Sequence, residues 1–308
     1  MKTRCCVFLV LALGLASGAA ACGGGDDDGG DGEELENPGF ATPDTVTTAY
    51  TKEGAVWTMV GPANWDCLGT ASDDAPSTVD IELTGIARDF QNEDDVIADA
   101  MISVYDGNEI TGTPIAMATS EADGSYALTL DAGIERVAFK TSAEDYLDTY
   151  LLNQYYDPDT VAQTEDLEPI SVSLANTLTA FINKERTLGL GVLAGAIRDC
   201  DGHEVDGAIA TVSAARGTAD HVNGAETYYF SGGSRSLPIR LSQQAYTNED
   251  GLFMVIELPP SSSDVYLQVW GFLPEQDPAS DELTLIAELG MPVIGDTVIS
   301  ASMEALRQ

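Results

Sequence analysis

The strongest constraint on the fold is that one pattern occurs twice in the chain. Residues 83–104 read LTGIARDFQNEDDVIADAMISV, and residues 193–213 read LAGAIRDCDGHEVDGAIATVS. Each stretch has a glycine in an alternating run, then Arg-Asp, a polar turn ending in Val, one or two small residues and a second alternating run. Further on, Thr119-Ser-Glu-Ala-Asp-Gly-Ser-Tyr126 answers Thr247-Asn-Glu-Asp-Gly-Leu-Phe253. Asp-Gly between alternating runs is a hairpin signal, because Gly124 and Gly251 can take the positive φ that the turn needs. Two such stretches describe two copies of one β unit.

Alternation elsewhere agrees with this reading. Runs at 79–87, 100–104, 114–118, 126–130, 137–141 and 150–153 supply strands for a first copy. Runs at 192–197, 208–213, 252–258, 265–270, 283–288 and 297–301 supply a second. Between them, Leu174, Leu178, Phe181 and Ile182 recur at helical spacing behind Ser173, which predicts one helix over 173–187 with Ser173 as its N-cap. The expected fold class is all-β, with two tandem antiparallel β-sandwiches and one short connecting helix. The expected domains are a first sandwich at 79–172, helix and linker at 173–189, and a second sandwich at 190–304 with an insertion at 216–244.

The repeated pattern resembles the carboxypeptidase regulatory-like, or transthyretin-like, β-sandwich family. Its consensus runs G-x-[VI]-x-D, then V-x-G-A-x-[VI], then T-D-x-x-G-x-[FY]. The resemblance covers roughly residues 79–170 and 190–304. The second copy keeps the Gly-Ala pair as Gly207-Ala208, whereas the first carries Asp99-Ala100. The resemblance implies a fold and an accessory role, since such domains usually accompany enzymes, receptors and surface proteins. The lead at 46–78, with Trp65-Asp-Cys67-Leu-Gly69, also looks like the opening of some bacterial lipoproteins that carry this domain.

The first residues read as an address. Lys2 and Arg4 precede an apolar run at 6–21, which is short for a spanning helix of about 20 residues and suits a signal peptide at 1–21. The run ends Ala19-Ala20-Ala21-Cys22, which resembles a bacterial lipobox with Cys22 as the acylated residue, although Ala19 stands where a larger aliphatic is usual. An ordinary secretory signal cleaved after Ala21 is the alternative. By the usual sorting rule, Gly23 after the cysteine implies the outer membrane. Residues 23–36 hold seven acids and no base or aromatic, so 22–45 is read as an acidic Gly/Asp tether; a calcium site is the alternative, although the run lacks the alternating ligands and closing Glu of an EF-hand loop.

Cys67 and Cys200 remain for the exported protein, and in an oxidising compartment they are expected to pair. Neither belongs to a CxxC, so no zinc site is indicated. With 13 Lys plus Arg against 51 Asp plus Glu and a formal charge of −38, nucleic acid is excluded as a partner, and membrane attachment would have to come from acyl chains.

The candidate chemistry is sparse. Asp199, Asp201, His203, Glu204 and Asp206 crowd one turn, as either a divalent-metal loop (calcium being the alternative ligand) or a solvated β-turn. His221 lies in the insertion beside Asp220, with neither G-x-S-x-G nor H-E-x-x-H in the chain. Gly189-Leu-Gly191-Val-Leu-Ala194 fits a dinucleotide fingerprint on paper, but its helix precedes its strand, the reverse of what pyrophosphate binding requires. Tyr228, Tyr229 and Phe230 form an aromatic strand that either stacks on a glycan or partner, or packs alternately into the core with Tyr229 outward. The sequence therefore points to a lipid-anchored cell-envelope protein, not an enzyme and without cofactor, that binds an envelope protein or glycan or serves a structural role. The rival readings are an adhesin, a calcium-dependent module and a hydrolase using His203 or His221.

Overall fold

The computed structural model describes residues 41–307, apart from 223, 234, 235, 242 and 281. The leader, Cys22 and the 23–36 acidic run lie outside the described residues. The lead contributes β1 (Thr48–Glu53) and β2 (Val56–Pro62). The first copy comprises β3 (Ile81–Ile86), β4 (Met101–Asp106), β5 (Ala116–Thr119), β6 (Ser125–Leu130), β7 (Arg136–Ser142), β8 (Asp148–Tyr155) and β9 (Ala162–Thr164). Helix α1 (Val172–Phe181) follows. The second copy holds β10 (Gly191–Ile197), β11 (Glu204–Asp206), β12 (Ala208–Ser213), β13 (Glu226–Phe230) and β14 (Pro238–Ile239). It closes with β15 (Leu252–Leu258), β16 (Ser261–Gly271), β17 (Thr284–Val293) and β18 (Thr297–Met303). Every strand read from alternation is present, and the protein is all-β with one α-helix among the described residues.

The two copies share one pairing scheme. In the first, β3 lies between antiparallel β6 and parallel β9, while β7 pairs with both β4 and β8. In the second, β10 lies between antiparallel β15 and parallel β18, while β16 pairs with both β12 and β17. The copies are not separate antiparallel sandwiches, as the sequence had led us to expect. β18 pairs parallel with β8 as well as with β10, so strands of both copies form one nine-stranded sheet ordered β14-β13-β15-β10-β18-β8-β7-β4-β5. The join is the mutual satisfaction of two sheet edges that would otherwise expose unpaired amides.

Alternation then assigns the layers. On β18, Ile299 and Ala301 face the core beneath the β12-β16-β17 sheet, together with Tyr150 and Leu152 of β8. Val298 points the other way, into a cluster with Leu174, Ala175 and Ile182 of the helix segment and Tyr228, Phe230 and Met254 of the sheet. Over the first copy, the β6-β3-β9 sheet packs Ile81, Leu83 and Leu130 against Ile102, Val104, Val137 and Phe139. The helix therefore sits at the junction of the copies, because Leu147 and Ile170 join its cluster from the first-copy side. It is shorter than 173–187, and its N-cap is Ser171, whose Oγ accepts from the Leu174 amide at 3.2 Å, rather than Ser173. Of its expected apolar face, Leu174 and Ile182 are buried while Phe181 is 42% exposed.

The hairpin of the lead docks on the second copy, whereas the end of the lead bonds to the first, with Arg136 donating to Asp74 and the Gly133 amide donating to Ser77 Oγ. β1 pairs with β2 and, through Thr48–Tyr50, with β11. Buried Trp65 donates from its indole to Thr47 Oγ1 at 2.8 Å. The Cys67–Cys200 disulfide, with Cα atoms 5.8 Å apart, fastens this arrangement across 133 residues.

Candidate functional site

The residues that repeat in sequence are those that build the rim of each copy. A Cβ on Gly85 would lie 1.7 Å from the Glu165 carbonyl oxygen, and one on Gly195 would lie 2.2 Å from that of Ala301. Each glycine also lies under the aromatic ring that follows the Asp-Gly turn, Tyr126 and Phe253 respectively. Asp99 and Gly207 both hold positive φ, at 56° and 85°, so the first copy's departure from Gly-Ala preserves the left-handed turn with an aspartate that tolerates it. The partner of Thr247 is Ser120, not Thr119. Thr247 Oγ1 accepts from the Ala208 amide at 3.0 Å, and Ser120 Oγ accepts from the Ala100 amide at 2.9 Å.

Of the acid-rich turn, the structure brings Asp199, Asp201 and His203 together, with ligand atoms within 4.8 Å of one another, and leaves Asp206 apart. The buried Asp199 carboxylate is already committed. Its Oδ1 accepts from the amides of Asp201 and His203 at 3.0 and 2.9 Å, and its Oδ2 accepts from the Asn64 amide at 3.0 Å. Asp89 does the same in the first copy, accepting from the Gln91 and Asn92 amides. Asp199 is thus the organiser of a repeated turn, and Asn64 clamps that turn by donating its side-chain amide to Asp201 Oδ2 at 2.9 Å. Glu204, also buried, faces Arg198 at 3.5 Å. Asp206 instead lies near Glu249 and Asp250. Burial, reinforced by those two charges, pushes its carboxyl up to about 6 despite the opposing Gly207 amide.

Tyr228, Tyr229 and Phe230 are all buried, so none of these rings faces solvent. Tyr228 and Phe230 pack under the helix, and Tyr229 packs into the core on the opposite face of the sheet. The outward placement of Tyr229 expected from one-sided alternation fails because β13 is covered on both faces. The tyrosines of the first copy are also mostly inward: Tyr150 is buried, while Tyr156 donates to Glu165 Oε2 at 3.0 Å.

His221 has a structural task that its sequence context does not announce. β13 pairs with β15 rather than with β12, which leaves the outer edge of β12 without a neighbouring strand. Four backbone groups on that edge are each satisfied. His221 Nδ1 accepts from the Val212 amide at 2.9 Å, and the Val222 amide donates to the Val212 carbonyl at 2.7 Å. Tyr229 Oη accepts from the Ala210 amide at 3.0 Å, and Thr227 Oγ1 donates to the Ala210 carbonyl at 3.0 Å. With Nδ1 accepting, the other ring nitrogen donates to Thr227 Oγ1, 3.1 Å away. Burial holds the imidazole below its ordinary pKa, so it is a neutral brace at physiological pH.

Two further acids were missed by the sequence reading. Glu165 is 7% exposed on the segment after β9, and burial pushes its carboxyl up to about 7 against the lowering effect of the Tyr156 hydrogen bond. Burial, with Glu93 next in size, also raises Glu168 to about 7. A charged residue alternating with Gln163 and Leu167 was the available signal, since Leu167 is a core residue two positions on.

No family model matches the chain, and no curated protein matches its sequence. Solved structures that align with it include the TIE protein of Bacillus anthracis, at 12% identity and a TM-score of 0.26, over 74% of this chain and 34% of that one. A DUF3823 family protein from Parabacteroides merdae aligns at 9% identity and a TM-score of 0.22, over 69% of this chain and 98% of that one. A streptococcal ancillary pilin aligns at 12% identity and a TM-score of 0.21, over 76% and 64% of the respective chains. The chain thus spans about a third of the first of these structures.

Proposed function

We propose that the protein is a non-catalytic binding or structural module of the cell envelope, held to a membrane by acyl chains on Cys22. One observation carries the non-catalytic part. Two of the candidate residues are committed to the fold itself: both Asp199 carboxylate oxygens and His221 Nδ1 accept from backbone amides, and the other His221 nitrogen is bonded to Thr227 Oγ1. The Cys67–Cys200 disulfide supports export, because such bonds persist in oxidising compartments. The lipobox-like Ala19-Ala20-Ala21-Cys22 and the uncharged Gly23 support an outer-membrane anchor, with the acidic run as its leash. Attachment by helix or by charge has less support: no helix among the described residues is long and apolar enough to cross a membrane, and a chain at −38 repels anionic lipid.

The test is intact mass and detergent-phase partition of the full-length chain expressed in a bacterial host, beside Cys22→Ser. Detergent partition with a diacylglyceryl mass on Cys22, lost in the variant, is the expected result. An aqueous protein whose mass begins at Cys22 without lipid would overturn the anchor.

A further inference from the structure

The two copies share a strand scheme but treat one edge differently. In the second copy, the outer edge of β15 is filled by β13, with Tyr228 opposite Met254 and Glu226 opposite Ile256. In the first copy, the corresponding strand β5 pairs with β4 instead, so among the described residues β6 has β3 on one side and no strand on the other. The Ala87 amide donates to the Gly124 carbonyl, as the Ile197 amide does to that of Gly251, which sets the same phase in both copies. Antiparallel alternation then turns the main-chain groups of Ala127 and Thr129 outward, at the positions held by Met254 and Ile256 in the second copy. Both residues are exposed, and no hydrogen bond from another described residue covers their outward groups. The open edge of β12 is covered by His221, Val222, Thr227 and Tyr229, whereas β6 has no such cover.

We propose that the outer edge of β6 is a strand-addition site for an extended peptide with basic flanks. The charge pattern selects the occupant. Residues 124–130 carry no charge, while Glu121 and Asp123 stand at one end and Asp131 at the other. A shallow cleft of about 760 Å³ beside the edge is lined by Thr84, Ala118, Thr119, Glu121, Tyr126 and Asp166, with no basic residue in its lining. A second copy of this chain, pairing antiparallel about Ala127, would set Asp123 against Asp131 at both ends, and like charges opposite each other repel. Lysine or arginine on either side of an alternating strand meets those acids favourably, while main-chain hydrogen bonds supply the affinity. This deepens the binding-module reading and rests on it, but it does not depend on the lipid anchor.

The probe is a synthetic alternating peptide, KVTVTVK with blocked ends, added to the full-length chain in mild detergent and followed by hydrogen exchange. Exchange at residues 125–130 should slow by about tenfold at millimolar peptide, centred on Ala127 and Thr129. EVTVTVE and the proline-interrupted KVTPTVK should leave it unchanged. Thr129→Pro should abolish the slowing by removing an outward amide from an edge strand. Should that variant not fold, the double variant Glu121→Lys with Asp131→Lys, which leaves the strand backbone intact, should reverse the preference toward EVTVTVE. Absence of slowing with KVTVTVK, equal slowing with EVTVTVE, or concentration-dependent protection without peptide would each overturn the proposal, the last in favour of a second copy. None of these results bears on membrane partition, which reads the anchor separately.

Discussion

The two copies solve the same rim in opposite ways. Each has a short strand, β5 after β4 and β13 after β12, that must choose between the two sheets of the unit. In the first copy β5 stays with β4 and leaves β6 open; in the second β13 crosses to β15 and leaves β12 open. Only the second copy closes its open edge, and the residues that do so lie in the 216–244 insertion. The difference teaches that the insertion is not a separate appendage. Its length is what lets β13 reach the other sheet and still return Thr227, Tyr229 and His221 to β12.

The largest expected effect concerns how far the copies stand or fall together. The disulfide closes a loop that contains the whole first copy while fastening the lead to the second. Cys67→Ser with Cys200→Ser should lower stability by about 4–5 kcal/mol in the chain-entropy model, read as a drop in the denaturation midpoint. A midpoint equal to that of the parent chain would show that the lead hairpin is held by packing alone.

Next come the two glycines. Gly85→Ala and Gly195→Ala each force a methyl against a carbonyl and an aromatic ring, at a cost of about 3 kcal/mol. Their consequences should differ in reach. β9 pairs with β3 alone, whereas β18, displaced by Gly195→Ala, also holds β8. Hydrogen exchange should therefore accelerate in both copies for Gly195→Ala and in the first copy alone for Gly85→Ala. Acceleration confined to the second copy in Gly195→Ala would break the view that β18 couples them.

The copies should also part company with pH. Glu165 occupies the strand position of Ala301, and burial raises its carboxyl to about 7. Between about 4.5 and 7 the folded protein holds a proton there that the unfolded chain has released, so stability falls as pH rises through that window. The fall from this group is about 3 kcal/mol, with Glu168, also near 7, adding to it. Glu165→Gln should flatten the slope of unfolding free energy against pH, and the first copy should loosen first in the parent chain at pH 8. An unchanged slope in the variant would assign the effect to Glu168, Asp206 and the overall charge.

Much of this was legible in the sequence because it is local. Gly85, Gly195, the Arg-Asp pairs and the Asp-Gly turns announce the rim of each copy within a few residues. The shared sheet was not legible, because β8 and β18 are far apart in the chain and an edge join leaves no local mark. The lead hairpin was missed although Glu53-Gly54 marks its turn, since Val56, Met59 and Val60 are exposed and give no one-sided alternation. Ser171 and Ser173 offer the same capping chemistry, and only the Leu174 amide chooses between them. The aromatic run at 228–230 suits a half-exposed strand in sequence, but a continuous apolar run is equally the mark of a strand covered on both faces. His221 suggested chemistry because a buried histidine that caps a strand edge looks, in sequence, like any histidine beside an aspartate.

The smallest effect sharpens the comparison most directly, because it converts one copy's edge toward the other's. Tyr229→Phe keeps the ring in the core and removes the oxygen that accepts from the Ala210 amide. A buried donor left without a partner costs about 1–3 kcal/mol, seen as a lower melting temperature. His221→Leu removes the acceptor for Val212 as well as the bond to Thr227, at a similar cost. In the double variant the β12 edge should exchange its amides at Ala210 and Val212 faster, as an open edge does, and should begin to take up added strand peptide there. If those amides stay protected, packing of the insertion rather than these hydrogen bonds closes the second copy's edge. The contrast with β6 would then lie in coverage by the loop, not in the capping side chains.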